Sequence, residues 1–167
     1  MKTSKGFTLI EILVVVLIIG ILAAIVLPIY NKAVRKSRMA QTEIFIKNAS
    51  DAINGYIMQN GSASLGGWDT LDIQFPSCAV STGSDTVANG FLDCGRYTYS
   101  LPKDGSGLII AREVDSKEDY LLGKNFNDNV AFCAAADQNG EDLCALLDYV
   151  VDGGSICGNL RPICMTK

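Results

Sequence analysis

The feature that most constrains this chain is an apolar run that no charge interrupts. After Glu11 the next charged residue is Lys32, and Ile12–Tyr30 is almost wholly aliphatic. A stretch of that length spans a hydrocarbon core of about 30 Å as a helix. Its β-branched residues would disfavour a helix in water. In lipid, a helix is the one way for a single segment to satisfy its own backbone groups. The spacing therefore predicts a membrane-spanning helix at the N-terminus. Gly20 and Pro28 are its weak points: Pro28 has no N–H to donate, and its ring crowds the carbonyl of Ala24, so a bend is expected there. A short basic leader, residues 1–6 with Lys2 and Lys5, precedes the run.

The order of these parts is not that of an ordinary secretory signal peptide, in which a small-residue cleavage site follows the apolar region. Here the small residue, Gly6, comes before it, so a cut at that point leaves the run on the mature protein. Glu11 is also out of place in a plain signal sequence, because a charge inside a membrane helix is expensive. A simple uncleaved anchor is the alternative, and it explains neither Gly6 nor Glu11. The residues Lys5-Gly6-Phe7-Thr8-Leu9-Ile10-Glu11 resemble the processing site of type IV pilins and type II secretion pseudopilins. The resemblance covers roughly residues 5–30 and fades beyond.

The resemblance implies that a membrane peptidase cuts between Gly6 and Phe7 and methylates the new amine of Phe7. It implies that Glu11 matches the family's acidic assembly residue and pairs with the amine of an adjacent subunit. Implied partners are further copies of the chain and other pilins, the prepilin peptidase/methylase, an inner-membrane assembly platform and the inner membrane itself. The N-terminus is then cytoplasmic, because the family's peptidase acts there, and the mature protein ends in an extracellular pilus or a periplasmic pseudopilus. The function implied is a structural subunit of a type IV pilus filament serving motility, adhesion or DNA uptake. The alternative is a pseudopilin of a type II secretion system. Against it, the chain is cysteine-rich, and the tyrosine-proline stretch usual after the stem of major pseudopilins is absent at Tyr56-Ile-Met-Gln.

Composition narrows the remaining classes. Net charge is −4, so no direct nucleic-acid binding is expected. Histidine is absent, which removes Ser-His-Asp, Cys-His and histidine-based metal sites. No catalytic residue, cofactor or metal site is expected; loop carboxylates such as Asp85 and Asp93 have no evident partner. The acidic stretch Asp137–Asp142 lacks EF-hand spacing and reads as a turn. All six cysteines follow the stem: Cys78, Cys94, Cys133, Cys144, Cys157 and Cys164. Behind an export segment these read as a disulfide framework. Sequential pairing, Cys78–Cys94, Cys133–Cys144 and Cys157–Cys164, closes the shortest loops, with free buried thiols as the alternative.

After the span come Lys32, Arg35, Lys36 and Arg38, placed to meet lipid headgroups or acidic neighbours, or only water. From Ala33 to Gln59 the pattern turns amphipathic. Met39, Thr42, Ile46, Ala49, Ile53, Tyr56 and Ile57 share one face, and Glu43, Lys47, Asn48, Asp51 and Asn54 the other. Ile44 and Met58 break the pattern on the polar side. Asn60-Gly61 ends the helix. Residues 61–89 read as a loop region anchored by Trp68, Leu71, Ile73 and Phe75. Tyr97–Leu101 and Leu108–Glu113 read as a hairpin, Val130–Ala134 as a third strand, Leu143–Val151 as helix or strand, and 153–167 as loop. The expected fold class is α+β: a long N-terminal helix, half membrane-spanning and half amphipathic, packed on a small disulfide-stabilised antiparallel sheet. The expected divisions are leader 1–6, polymerisation helix 7–30, amphipathic helix 31–60 and globular domain 61–167.

Overall fold

The computed structural model describes residues 6–61, 66–75, 77–81, 88–102, 107–114, 120–151 and 163–167. The chain divides into two compact units, Met1–Arg38 and Met39–Lys167. Helix α1 spans Leu9–Asn60, starting two residues later than the expected polymerisation helix 7–30 and continuing through Gly20 and Pro28. It ends where Gly61 takes φ 67°, a left-handed conformation that a glycine adopts without strain.

In the second unit, the amphipathic period of α1 becomes packing. Met39, Thr42, Ile46, Ala49, Ser50 and Ile53 are buried, and Tyr56 and Ile57 are half-buried. Ile44 and Met58 stay exposed, as their position off the stripe requires. The buried face meets an antiparallel sheet of eight strands among the described residues, in the order β1-β2-β3-β4-β5-β6-β8-β7. The strands are β1 (Ala79–Ser81), β2 (Ala88–Asp93), β3 (Tyr97–Pro102), β4 (Leu108–Glu113), β5 (Tyr120–Asn125), β6 (Val130–Ala135), β7 (Val150–Val151) and β8 (Ile163–Thr166). The alternation of strand side chains decides which residues meet the helix. Tyr97, Tyr99, Ile109, Ala111, Leu122 and Cys133 join its core, while Leu121, Phe132 and Ala134 form a smaller cluster apart from it. At Gly123 a Cβ would overlap the Phe132 ring and lie 2.8 Å from the Ile109 carbonyl, so only glycine lets β5 and that ring approach.

The α+β architecture and the hairpin β3–β4 match the sequence pattern. Several local readings do not. The stretch taken as loop after Gly61 holds a 3₁₀ turn at Trp68–Thr70, the strand β1 and the start of β2. Trp68 and Leu71 are nonetheless the buried anchors expected, with Ile73 and Phe75 packed beside them. The acidic stretch opens helix α2 (Gln138–Ala145) rather than forming a turn. Asp137 is its N-cap, accepting the Gly140 N–H at 2.9 Å and so satisfying one of the helix's unpaired donors. Leu143–Val151 is neither one helix nor one strand: it is the end of α2, a turn and β7. The terminal loop ends in β8, which gains strand geometry by pairing with both β6 and β7.

Cys78 is bonded to Cys94 and Cys133 to Cys144. The second bond staples α2 to β6. Cys164 is disulfide-bonded, and Cys157 lies outside the described residues. Asp85, the leader lysines Lys2 and Lys5, and most of the turn between β3 and β4 also lie outside them.

Two polar clusters, partly open to solvent, tie α1 to the sheet. Glu43 accepts hydrogen bonds from the Tyr149 hydroxyl at 3.2 Å and the Lys167 ammonium at 3.1 Å. Thr42 hydrogen-bonds Tyr97 and Tyr99. The Tyr97 hydroxyl lies 3.0 Å from that of Tyr120, which donates to Glu113 at 3.0 Å; Glu113 in turn pairs with Arg96 at 3.1 Å. Because Tyr120 spends its one proton on Glu113, Tyr97 is the donor between the two phenols.

Candidate functional site

The candidate site is the start of α1. Its apolar side chains are exposed: Phe7 is 82% exposed, and the helix from Leu9 to Tyr30 presents large aliphatic side chains on every side. Long and apolar enough to cross a membrane, this segment has none of its apolar window buried. An all-round apolar helix is stable only inside lipid or among other apolar helices.

The one carboxylate in this surface is fixed by its own neighbours. Glu11 Oε2 accepts the Thr8 backbone N–H at 2.7 Å and the Thr8 hydroxyl at 2.7 Å. In return the Glu11 N–H donates to Thr8 Oγ1 at 3.4 Å. Thr8 is therefore the N-cap and Glu11 the third helical residue of a reciprocal capping box. The box satisfies two backbone donors that a helix start leaves unpaired, and it puts the carboxylate at the positive end of the helix dipole. Both contacts use Oε2; among the described residues, Oε1 accepts no hydrogen bond. Thr8 is the functional residue that the sequence reading missed. Its signal was the Thr-x-x-Glu spacing immediately ahead of the apolar run.

Among the described residues, a Cβ at Gly6 or Gly20 would meet nothing within 4 Å, and neither glycine takes a left-handed backbone. Gly6, Phe7 and Glu11 are brought together at the helix start, Gly20 and Pro28 lie along the exposed segment, and the cysteines belong to the other unit. Asp93, at the end of β2, accepts the Gly95 N–H at 2.8 Å and shapes a turn. Among the described residues, no group of three or more His, Cys, Asp or Glu could hold a metal.

After the apolar segment, Tyr30, Asn31, Val34, Arg35 and Arg38 line a concavity of about 430 Å³. Lys32 and Lys36 are exposed outside it.

Residues 1–27 match the family model described as the prokaryotic N-terminal methylation motif. The chain is 32% identical to a fimbrial protein of Moraxella nonliquefaciens, over 74% of this chain and 84% of that protein. It is 35% identical to the type IV major pilin protein PilE1 of Neisseria gonorrhoeae, over 78% of this chain and 69% of that one. It is 33% identical to the type IV major fimbrial protein FimA of Dichelobacter nodosus, over 65% and 70% respectively. No solved structure matches.

Proposed function

This chain belongs to the type IV pilin family and is a structural subunit of a pilus filament, and on that premise we propose how its N-terminus is processed and assembled. The peptidase that the methylation motif implies cuts between Gly6 and Phe7 and methylates the Phe7 amine. Gly6 is needed for that reaction and not for the fold, since nothing among the described residues lies where its side chain would be. The mature stem, 7–30, holds the subunit in the inner membrane with its N-terminus cytoplasmic. It then becomes the polymerisation helix, with compliance at Gly20 and Pro28. The amphipathic segment 31–60 and the globular domain 61–167 coat the filament, the latter stapled by its cysteines. Other pilins and an inner-membrane assembly platform are its partners, and motility, adhesion or DNA uptake its outputs. Catalysis is not among its roles.

The observation that carries the assembly reading is Glu11. Its Oε2 is committed to Thr8, while among the described residues nothing donates to its Oε1. In a bundle of apolar stems, a cation is the partner such a carboxylate requires. The methylated Phe7 amine of an adjacent subunit supplies it. Apolar contacts alone do not fix axial register, and one charge pair among them does, so the pair contributes specificity more than strength.

Mass spectrometry of filament subunits tests the first step: Phe7 at the N-terminus carrying one extra methyl group is expected, and subunits starting at Met1 in filaments would refute it. Glu11→Val in a strain lacking the wild-type subunit should insert and be processed but give no filaments, or misregistered ones, in negative-stain images. Normal yield and stagger would show that Glu11 does not control assembly.

A further inference from the structure

We propose that the face of α1 formed by Tyr30, Asn31, Arg35 and Arg38 is a headgroup site for an anionic phospholipid. The inference rests on the reading that the apolar run is held in a bilayer before assembly.

Depth is the first argument. At about 1.5 Å per residue the run Ile12–Tyr30 rises about 28 Å, close to the thickness of a hydrocarbon core. A helix crossing that core presents residues 30–38 at the level of the phosphates. Tyr30 is the aromatic residue at the boundary, where an amphipathic ring is favoured.

Geometry is the second. Residues 30, 34 and 38 stand four apart, as do 31 and 35, so all five lie on one helix face. The structure gathers these five, and neither Lys32 nor Lys36, around one concavity of about 430 Å³. Its polar equipment is two guanidiniums, an amide and a phenol. Guanidinium forks donate paired hydrogen bonds to phosphate oxygens, which an ammonium does not do with the same geometry. Val34 offers an apolar floor for the glycerol end.

Charge is the third. No Asp or Glu occurs between Glu11 and Glu43, while Lys32, Arg35, Lys36 and Arg38 all fall in that interval. The segment is therefore cationic where it meets the leaflet, and it favours an anionic lipid over a zwitterionic one. An acidic patch on a neighbouring subunit could use the same charges, but the lipid is present at this depth in every unassembled subunit.

The test reconstitutes the full chain into phosphatidylcholine bilayers and measures, by electron spin resonance, the relative association of spin-labelled phosphatidylglycerol and spin-labelled phosphatidylcholine. Two basic side chains at an anionic surface correspond to a preference of about fivefold to thirtyfold. Wild type should show a preference of that order. Arg35→Gln/Arg38→Gln should bring it close to one, and Lys32→Gln/Lys36→Gln should leave most of it. Equal losses from the two double variants, or no loss from the first, would overturn the site. Displacement of the labelled phosphatidylglycerol by inorganic phosphate at matched ionic strength would overturn the lipid assignment. Filaments lost in Arg35→Gln/Arg38→Gln cells while lipid preference persists would assign the face to an acidic neighbouring subunit instead. Flotation with plain phosphatidylcholine vesicles separates the two levels of the inference. A wild-type chain that floats but shows no preference refutes the site alone, whereas one that does not float refutes the membrane reading beneath it.

Discussion

Raising the pH should unfold the globular unit through its buried phenols. Burial raises the pKa of Tyr97, Tyr99, Tyr120 and Tyr149 above the ordinary phenol value of about 10. At Tyr120 the hydrogen bond with Tyr97 reinforces the effect, and at Tyr149 the charge of Glu43 does. All four are almost fully buried. A phenol whose pKa is raised in the folded state keeps its proton there while the unfolded chain releases its own. The stability it lends is fully present below pH about 10 and is lost as pH rises through the folded-state value. Each such group changes stability by at most about 1.4 kcal/mol per pH unit in that window. Four together reach about 5 kcal/mol per unit, and a discount for the coupled Tyr97–Tyr120 pair leaves about 3–5. At about 3–5 kcal/mol per unit, a domain at the lower end of the about 5–15 kcal/mol range should fail within about two pH units above 10. Urea midpoints of the full chain in nonionic detergent, taken from pH 8 to 12 with phenolate absorbance alongside, measure both slope and cause. Tyr149→Phe keeps the ring and the Glu43–Lys167 pair and should make the alkaline slope shallower. A stability that is flat from pH 10 to 11.5, or four phenols ionising near 10 in the folded protein, would refute the reasoning.

Further tests address the core, the staple and the cap. Ile53→Ala removes a side chain with no exposed surface at the centre of the helix–sheet contact, and urea unfolding should show a loss of about 2–5 kcal/mol; a loss below about 1 would mean that the helix face is not load-sharing with the sheet. Cys133→Ser/Cys144→Ser frees α2 from β6 and should cost about 2–4 kcal/mol in the same assay, with the protein still folded at neutral pH. Thr8→Ala removes the cap hydroxyl, which is worth about 1 kcal/mol in typical helices. It should speed hydrogen exchange of the first-turn amides about fivefold while leaving cleavage after Gly6 unchanged.

What the sequence discloses follows the range of the interactions involved. The N-terminal segment is legible because its determinants are local: a glycine, an aromatic residue and a glutamate at fixed spacing, then an apolar run. The amphipathic half of α1 is legible for the same reason, since Met39, Ile46 and Ile53 recur at the helical period. The sheet is legible where a strand alternates against water, as at Tyr97–Leu101, and at the short apolar run Val130–Ala134, which is β6. Strand β5 is buried along nearly its whole length, Tyr120–Lys124, on both faces, so Tyr-Leu-Leu-Gly-Lys has no alternation to read. Strands β1 and β8 are only three and four residues long, and they exist because β2, β6 and β7 offer them partners. Helix α2 was hidden by its own cap: Asp137 and Gly140 resemble a turn until Leu143 and Cys144 are seen buried against the sheet.

On the proposed cleavage and pairing, the capping box bears on how one carboxylate can serve two purposes in sequence. Before cleavage, the nitrogen of Phe7 is an uncharged peptide N–H, and among the described residues it is Thr8 that holds Glu11. After cleavage, that nitrogen is an amine one residue upstream of the cap. The box does not have to break for the new charge to be met, because Thr8 occupies Oε2 and leaves Oε1. A carboxylate fixed in this way loses little side-chain freedom when a neighbouring amine arrives, so less of the pairing energy is spent on ordering it. If the proposed pairing sets assembly, Thr8 is a positioning residue for it as well as a cap. Glu11→Gln sharpens the point. Its amide oxygen still accepts from Thr8, so the helix start survives, but no negative charge remains for the amine. If capping were the whole role of Glu11, Gln would assemble as the wild type does and only Val would fail. If charge pairing sets the stagger, Gln fails with Val even though its helix is intact.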